Sequence, residues 1–362
     1  MKTIEVGIQK QARKYQVCVG ENIIELIPDL IDLAGYSSIY IITDSNVSRH
    51  YLKPVIKIFS QRIANMYSFV FPAGESSKQI GTVVEIWKDM AKNMIDRKAL
   101  IVNLGGGVVT DLGGYAASGY LRGVSFINIS TTLEGMVDAS VGGKTGVNLG
   151  TLKNYIGSFT QPELVVCDVE TLKTLPHRVL IQGYAEVIKH GLIEDSNYFE
   201  EAVKKSPLEM TDKELIDIVA ESVHIKSEIV RQDETEHRLR KLLNFGHTVG
   251  HVIESHSMKS QNPLFHGEAV SIGMIAESYI CQLIGMITEK EFNKIESGIK
   301  RVGLPVRYEG LVVDDVLRAM LTDKKVEKGH IKWTLLSGIG QGEFNVSVDD
   351  KFVKKAIEYI VG

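Results

Sequence analysis

Short runs of β-branched and apolar residues, each ending at a polar or glycine-containing loop, recur through the first half of this 362-residue chain. These runs cover residues 38–43, 66–71, 99–104, 126–129 and 165–168. Segments with helical spacing of apolar residues, such as 47–64 and 79–94, lie between them. Strands that alternate with helices predict a parallel sheet with helices on both faces.

The pattern changes after about residue 175, where helical spacing dominates from Val179 onward. The sequence therefore predicts an α/β fold in two domains. Residues 1–175 would form a Rossmann-like, doubly wound domain that binds a nucleotide, and residues 176–362 a mostly α-helical domain.

Composition narrows the class of protein. Apolar residues make up 44% and charged residues 24% of the chain, and the net charge of -4 argues against general attraction to nucleic acid or anionic membranes. Three widely separated cysteines form no disulfide framework, so we expect a reducing compartment. Neither a signal peptide nor an apolar run of about 18–20 residues is evident, which predicts a cytoplasmic protein.

Histidines and one glutamate indicate a metal site. His247 and His251 are four residues apart, so both project from one helix face, and His266 follows shortly after. Upstream, Glu186 lies in an otherwise apolar helical stretch. One glutamate and two histidines would bind a divalent metal and leave a coordination position open for chemistry. Any single one of these histidines is as well explained as an ordinary polar side chain near a helix end.

Three loops at predicted strand ends suit a dinucleotide. Glycines 105–107 would let backbone N–H groups approach a pyrophosphate in front of a helix N-terminus. Asp44 would accept a hydrogen bond from a ribose hydroxyl, and the loop 74–78 ends a third strand. The glycines do not form the G-x-G-x-x-G pattern, so a tight turn without a ligand is the alternative.

A glycine-rich segment with one lysine spans residues 138–148. Its Gly143-Lys144-Thr145 resembles the end of a P-loop, but Asp138 occupies the place of the first glycine and would face the phosphates. We therefore reject a nucleoside triphosphatase. Glycines beside lysines still suit an anionic ligand, and Lys189, Lys226 and Arg240 add cations for a substrate with phosphate and carboxylate groups.

Together these segments resemble the 3-dehydroquinate synthase family of the sugar phosphate cyclase superfamily. The matching segments are residues 105–111, 120–123, 131–133, 138–148, 153–154, 185–189, 243–248, 266–270, 323–325 and 338–340. They span nearly the whole chain in the family's order.

The resemblance implies an NAD-dependent lyase that uses zinc or cobalt and acts on 3-deoxy-D-arabino-heptulosonate 7-phosphate in the shikimate pathway of aromatic amino acid biosynthesis. In that family NAD oxidises the C5 hydroxyl, phosphate is eliminated, and C5 is reduced again. The ring then opens and closes by an aldol step to give 3-dehydroquinate.

The resemblance also assigns roles to residues. Glu186, His247 and His266 match the metal ligands, and His251 matches a proton-transfer residue. Arg122 matches an arginine that reaches the neighbouring subunit's phosphate site, which implies a homodimer. Residues between cofactor and substrate match Asp138 and Lys144, and the remaining substrate-binding set comprises Lys153, Asn154, Lys189, Lys226, Arg240, Asn244 and one of Lys324 or Lys325.

The family's cofactor contacts map to three strand-end loops, two further segments and two separate lysines. They are Asp44, Gly74, Glu75, Ser76, Ser77, Lys78, Gly106, Gly107, Val108, Val109, Thr110, Asp111, Thr131, Thr132, Lys144, Lys153, Thr171, Leu172, Lys173 and Thr174.

The chain departs from the family pattern at a few positions. Thr110 stands where glycine is usual, His190 where tyrosine is usual, and Glu134-Gly135-Met136 replaces an apolar-small-Gln run. None of these removes a residue assigned to chemistry.

Three alternatives stay open at this point. They are a sugar phosphate cyclase with another substrate, a metal-dependent polyol dehydrogenase, and a non-catalytic NAD-binding protein. The complete substrate-binding set argues against the first, the many cations suited to phosphate and carboxylate against the second, and the intact metal triad with His251 against the third.

Overall fold

The first half of the chain is built around one parallel sheet. The computed structural model describes residues 14–150, 152–258, 260–310, 313–320, 326–327 and 330–361. The strands of this half are β1 (Gln16–Gly20), β2 (Ile39–Asp44), β3 (Met66–Phe71), β4 (Leu100–Gly105), β5 (Phe126–Ser130), β6 (Lys144–Leu149), β7 (Leu152–Phe159) and β8 (Leu164–Asp168). Six of them form a sheet in the order β1-β8-β5-β4-β2-β3, with every neighbouring pair parallel.

This arrangement confirms the predicted parallel sheet and places the strand-end loops together. Because the strands are parallel, Asp44, Gly105 and Ser130 end their strands at the same edge. Strand β4 pairs with β2 although β3 lies between them in the sequence, so the direction of winding reverses between β2 and β4. Doubly wound sheets bind ligands in the crevice at such a reversal.

Helices cover both faces of the sheet, which explains why its central strands are continuously apolar. The helices of this half are α1 (Ile27–Leu30), α2 (Lys53–Ser60), α3 (Ile80–Lys92) and α4 (Gly107–Gly119). Phe59 of α2 packs against one face with Ile41 and Val102. On the other face, Val83 of α3 packs with Ile101. Strand side chains alternate between the faces, so burial of both faces requires apolar residues at every position.

Helices dominate the second half, as the sequence predicts. They are α5 (His177–Glu194), α6 (Ser196–Ala202), α7 (Asp212–Gln232), α8 (His247–Ser257), α9 (His266–Leu283), α10 (Glu289–Arg301), α11 (Val313–Met320) and α12 (Asp350–Val361). Their apolar core also includes Val165 and Cys167 of β8. The domain division at residues 175/176 stays a prediction, because this core crosses it. No helix in the described ranges is long and apolar enough to span a membrane.

Two hairpins were not predicted as strands. The glycine-rich sequence of residues 138–148 does not predict a strand, yet Lys144 lies on β6, which pairs antiparallel with β7. There Gly146 lies opposite Gly157, and a Cβ on Gly146 would lie 2.6 Å from the carbonyl oxygen of Ile156. These glycines therefore permit close strand pairing.

The second half also contains the short strands β9 (Val326–Glu327) and β10 (His330–Ile331) and the hairpin β11 (Trp333–Gly338) and β12 (Gln341–Val346). The backbone N–H of Leu336 in β11 donates to the sulfur of Cys281 in α9 at 3.2 Å. This contact ties the hairpin to the helical core.

Helices α8 and α9 cross at very short range. A Cβ on Gly273 of α9 would lie only 1.9 Å from the carbonyl oxygen of Gly246, the residue before α8. Gly246 itself has φ +79°, which favours glycine. Two glycines thus bring together the first turns of α8 and the body of α9.

We predict that Gly273→Ala lowers the free energy of unfolding by about 1–3 kcal/mol, because the added methyl group must push two backbones apart. Gly81→Ala is the control: Gly81 lies in helix α3 with nothing within 4 Å of an added Cβ. That substitution should stabilise the protein by about 0.4–1 kcal/mol through the unfolded state. Denaturant unfolding measures both values, and equal effects of the two substitutions would contradict the close crossing.

Candidate active site

Three side chains from three helices meet at one point. Glu186 lies on α5, while His247 and His266 are the first residues of α8 and α9. Their Nε2 atoms lie 3.6 and 3.9 Å from Oε1 of Glu186. That oxygen is buried and has no hydrogen-bond partner among the described residues. A tetrahedral metal with bonds of about 2.1 Å separates its ligand atoms by roughly 3.4 Å, so the three residues fit one metal ion.

Both histidines are oriented by hydrogen bonds at Nδ1. The Nδ1 of His247 lies 3.1 Å from the carbonyl oxygen of Phe245, and that of His266 lies 3.3 Å from Oε2 of Glu254. An acceptor at Nδ1 places the proton there and leaves Nε2 with a lone pair for a metal. Burial would lower the pKa of His266, but the hydrogen bond and charge of Glu254 raise it to about 9. The same acidic surroundings attract a metal cation.

A buried carboxylate holds the two ligand-bearing helices together. Glu277 of α9 accepts hydrogen bonds from the backbone N–H groups of Gly246, Thr248 and Val249 at 2.6, 3.0 and 3.2 Å. These donors belong to the residue before α8 and to its first turn, where backbone N–H groups have no intrahelical acceptors. Glu277 therefore fixes the start of α8, and with it the position of His247.

Behind the triad lies a layer of paired charges. Lys189 pairs with Glu186, and both side chains are 1% exposed. Lys226 of α7 donates to Oδ1 of Asp138 at 2.6 Å. Burial, together with the nearby charges of Arg240 and Lys189, lowers the pKa of Lys226 to about 8 despite the opposing effect of Asp138. The predicted residues Asp138, Lys189 and Lys226 thus form one electrostatic unit.

Lys144 and Asn244 meet at a carboxylate that the sequence analysis did not single out. Glu236 pairs with Lys144 and accepts a hydrogen bond from Nδ2 of Asn244 at 2.7 Å. Its φ of +62° is uncommon for a residue other than glycine. Burial opposes ionisation, but Lys144 and Asn244 hold the pKa of Glu236 below its ordinary value. An anionic substrate at these two groups would compete with Glu236.

Arg240 is buried beside the glycine-rich segment. Its Nη1 donates to the carbonyl oxygen of Gly142 at 3.0 Å, while its Nε is buried without a partner among the described residues. Gly142 has φ +95°, and a Cβ there would lie 2.7 Å from Nη2 of Arg240. Glycine at this position therefore lets the loop pack onto the guanidinium.

Lys153 connects the substrate set to the metal site. Its Nζ donates to Oε1 of Glu254 at 2.6 Å, and the other oxygen of Glu254 faces His266. Burial opposes ionisation of Glu254, but His266 and Lys153 lower its pKa to about 2. The ring of His251 lies 5.3 Å from that of His247 and 5.9 Å from that of His266. Lys153, through Glu254, and His251 thus border the two histidines of the triad.

The carboxyl edge of the sheet has features of a ligand site. The hydroxyl oxygens of Thr43, Ser130 and Thr131 are buried there without hydrogen-bond partners among the described residues. A Cβ on Gly106 would lie 2.7 Å from the side chain of Thr132, and α4 begins at the next residue. Unpaired hydroxyls and a helix N-terminus suit a dinucleotide with its pyrophosphate.

The other predicted cofactor residues surround this edge or support it. Lys78 pairs with Asp111 at 2.6 Å, and Glu75 accepts from Asn148 at 2.8 Å. Oδ1 of Asp44 accepts from the backbone of Asn46 at 2.7 Å, which shapes the turn after β2. The remaining cofactor residues differ in burial. The exposed ones are Gly74, with φ +114°, and Ser76. The half-buried ones are Gly107, Ser77, Val108 and Thr132, and the buried ones are Val109, Thr110, Thr171 and Leu172.

Several predicted residues make no contact with the triad within the described chain. Arg122, with φ +69°, and Asn154, with φ +48°, are exposed. Lys173 pairs with Glu170 and Asp212, and Thr174 bonds to the hydroxyl of Tyr51. Their assigned roles stay predictions. Lys324 and Lys325 lie outside the described residues.

Two departures from the family pattern have local explanations. The Thr110 hydroxyl donates to the carbonyl oxygen of Gly107 at 3.2 Å, so the side chain folds back on its own helix. His190 is fully buried, with Nδ1 2.6 Å from the hydroxyl of Ser222, and burial holds the pKa of His190 well below its ordinary range.

Sequence reasoning missed three carboxylates, two of which left a signal. Glu254 lies seven residues after His247 and three after His251, so it shares their helix face. Glu277 is a charged residue in an apolar helical stretch, the same signal that identified Glu186. Glu236 lies in a polar segment, so its sequence context carries no signal of a functional carboxylate.

Comparison with known proteins extends over nearly the whole chain. Residues 68–182 match the model for the 3-dehydroquinate synthase N-terminal domain, and residues 183–326 match that for the C-terminal domain. The 3-dehydroquinate synthase of Alkaliphilus metalliredigens (strain QYMF) is 40% identical over 336 residues, which cover 92% of each chain.

Solved structures agree with the fold. ValA, a 2-epi-5-epi-valiolone synthase from Streptomyces hygroscopicus subsp. jinggangensis 5008 solved with NAD+ and Zn2+ bound, is 28% identical with a TM-score of 0.84, covering 98% of this chain and 99% of its own. A 2-deoxy-scyllo-inosose synthase complexed with carbaglucose-6-phosphate, NAD+ and Co2+ is 23% identical with a TM-score of 0.88, covering 96% and 98%. At that identity the second structure supports the fold alone.

Together the two family models match more than half of the chain, and the Alkaliphilus metalliredigens relative is 40% identical over 92% of it. The chain belongs to the 3-dehydroquinate synthase family.

Proposed function

We propose that this chain converts 3-deoxy-D-arabino-heptulosonate 7-phosphate to 3-dehydroquinate and phosphate, with NAD and a zinc or cobalt ion as cofactors. The single observation that carries the proposal is the triad of Glu186, His247 and His266 next to a set of buried lysines and an arginine. A metal site alone suits many oxidoreductases. A metal site joined to Lys189, Lys226 and Arg240 suits a substrate that also carries phosphate and carboxylate groups.

The donor set fits a divalent metal. One carboxylate with an oxygen that has no hydrogen-bond partner among the described residues, and two imidazoles whose Nδ1 atoms face acceptors, are ligands of the kind that catalytic zinc takes, with a position left open. When bound, the metal would hold the C4 and C5 hydroxyls of the substrate and acidify the one that is oxidised. Glu254 and the Phe245 carbonyl would keep both rings in the ligating orientation.

The sheet edge fits NAD: Gly106 and Gly107 would bind the pyrophosphate and Asp44 would bind a ribose hydroxyl. When bound, NAD would accept the hydride from C5 and later return it, so that no net oxidation occurs. Lys78, paired with Asp111, would hold the loop after β3 against α4. Thr43 and Thr131 would pair their unsatisfied hydroxyls with the cofactor.

The chain's own groups would handle anions and protons. Lys153, Arg240 and Asn244 would bind the phosphate and carboxylate of the substrate, and an anion at Asn244 would displace Glu236 from that amide. Asp138 would be held ionised by Lys226, because burial opposes ionisation of Asp138 but the Lys226 and Lys189 charges lower its pKa well below the ordinary value. His251, beside the triad, would transfer a proton during elimination.

The loss of phosphate from carbon would make the enzyme a carbon–oxygen lyase. We further propose a homodimer in which Arg122 reaches the neighbouring phosphate site, since this exposed arginine makes no contact with the triad within the described residues of its own chain. Arg122 and Leu121 both have positive φ, so the segment is held in an uncommon conformation. The cytoplasmic location stays a prediction from the sequence.

A related cyclase activity is the second candidate. The observation in its favour is the match to ValA, a 2-epi-5-epi-valiolone synthase, over 98% of this chain. The higher identity to 3-dehydroquinate synthases favours dehydroquinate formation.

For the metal site, we expect His247→Ala to abolish zinc binding and turnover, since only two of three ligands remain. The affinity for NAD+ should stay within about twofold of the wild-type value. Isothermal titration with Zn2+ and with NAD+ measures both affinities. His256→Ala, a histidine removed from the same helix but outside the triad, should retain stoichiometric zinc. Retention of zinc by the His247 variant would remove the assignment.

For the cofactor, we expect one NAD+ per roughly hundred or more substrate molecules to sustain full conversion, because NAD is regenerated in each turnover as the family resemblance implies. Phosphate release and absorbance at the NADH band are followed together. Net accumulation of NADH in proportion to product would instead support the dehydrogenase alternative.

For Arg122, we expect inactive Arg122→Ala protein mixed with inactive Lys153→Ala protein to regain activity. If the arginine acts across the interface, a mixed dimer contains one site with both native residues, so activity approaches about a quarter of the wild-type value after random exchange. Mass spectrometry of differently labelled subunits verifies the exchange. Exchange without recovered activity would show that Arg122 serves its own subunit or none.

A further inference from the structure

Glu134 is a departure from the family pattern that the proposed reaction does not use. It follows the cofactor segment Thr131–Thr132 at the end of β5, where the family usually has an apolar residue. Its side chain is half-buried and lies near His266 and Glu186, whose charges influence it. A carboxylate at this place is costly unless it has a partner.

That partner is Gln182 of α5. Its Nε2 donates to Oε2 of Glu134 at 2.9 Å, and its Oε1 accepts from the backbone N–H of Gly267 at 2.9 Å. Gly267 follows the metal ligand His266 in the first turn of α9. One buried amide therefore connects the cofactor segment to the ligand-bearing end of α9, and both of its polar atoms are satisfied.

The backbone segments around this connection are tightly packed. A Cβ on Gly267 would lie 1.8 Å from the carbonyl oxygen of Gln182, and one on Gly183 would lie 2.7 Å from the backbone nitrogen of Glu134. The three segments are thus in direct backbone contact. A shift of Glu134 or Gln182 would be transmitted to Gly267, because tightly packed interiors leave little room to absorb it.

We propose that Glu134 is a positioning residue. Through Gln182 it fixes the first turn of α9 and so sets where His266 meets the metal relative to the cofactor segment. The inference rests on the proposed metal site and adds to it a connection between the two cofactors. It also accounts for a carboxylate in place of the usual apolar residue, since an apolar side chain offers no acceptor to the Gln182 amide.

The test uses the Co2+-loaded protein, whose visible absorption reports the ligand geometry. We expect Glu134→Leu to weaken Co2+ binding by roughly tenfold and to shift the cobalt absorption bands, as loss of an outer hydrogen-bond partner does in other metal sites. Gln182→Leu should have the same effect, and the double variant should be no worse than either, because the two residues act in series. Glu134→Gln retains an acceptor and should restore the wild-type spectrum.

Glu234→Leu is the matched control. Glu234 accepts from Nε2 of Gln161 at 3.1 Å, another glutamate–glutamine pair between distant parts of the chain, but its partner does not contact the α9 terminus. The Glu234→Leu variant should leave the cobalt spectrum unchanged. If Glu134→Gln matched Glu134→Leu, charge would be responsible and the bridge would be overturned, as it would be by an unchanged spectrum in Glu134→Leu. Absence of Co2+ binding by the wild type would overturn the proposed metal site and the bridge with it.

Discussion

The organisation of the candidate active site depends on one buried carboxylate, that of Glu186, which lacks a full set of partners among the described residues. Lys189 pairs with Glu186, but Oε1 of Glu186 has no hydrogen-bond partner among the described residues. A buried carboxylate oxygen left in this state is costly, and a cation held by two imidazoles would relieve that cost. The surrounding fold positions the two imidazoles. Glu277 fixes the first turn of α8, which carries His247, and Gly273 allows α9, which carries His266, to pass close to α8. The stability of the helical half and the chemistry of the site therefore depend on the same few contacts.

The second constraint is that two cofactors must act on one substrate. The parallel sheet ends its strands at one edge, where glycines and unpaired hydroxyls suit a dinucleotide, while the triad belongs to the helices. The segment from Thr131 to Lys144 lies between them and supplies Glu134, Asp138 and Gly142 to contacts with the helical half. Chemistry that transfers a hydride at C5 and eliminates phosphate from C7 of the same substrate requires this proximity.

Much of the fold and site could be predicted because the signals were local. Apolar runs that end in Asp44 or Gly105 predicted the strands, and the spacing of His247 and His251 predicted a shared helix face. The Lys144 hairpin was missed, since glycines that permit strand pairing resemble those of a loop. Glu236 and the Gln182 bridge could not be predicted, because their partners are distant in sequence and depend on how the two halves pack. Arg122 is exposed, and the role across a dimer interface that the family resemblance gives it stays a prediction.

The central claim is that Glu186, His247 and His266 bind one catalytic metal beside the cofactor edge. A crystal of the protein grown with Zn2+ and NAD+, with diffraction collected on both sides of the zinc absorption edge, tests this most directly. We predict one strong anomalous peak about 2.0–2.2 Å from a Glu186 oxygen and from Nε2 of both histidines. A zinc peak bound elsewhere, with the three side chains in contact only with one another, would contradict the account.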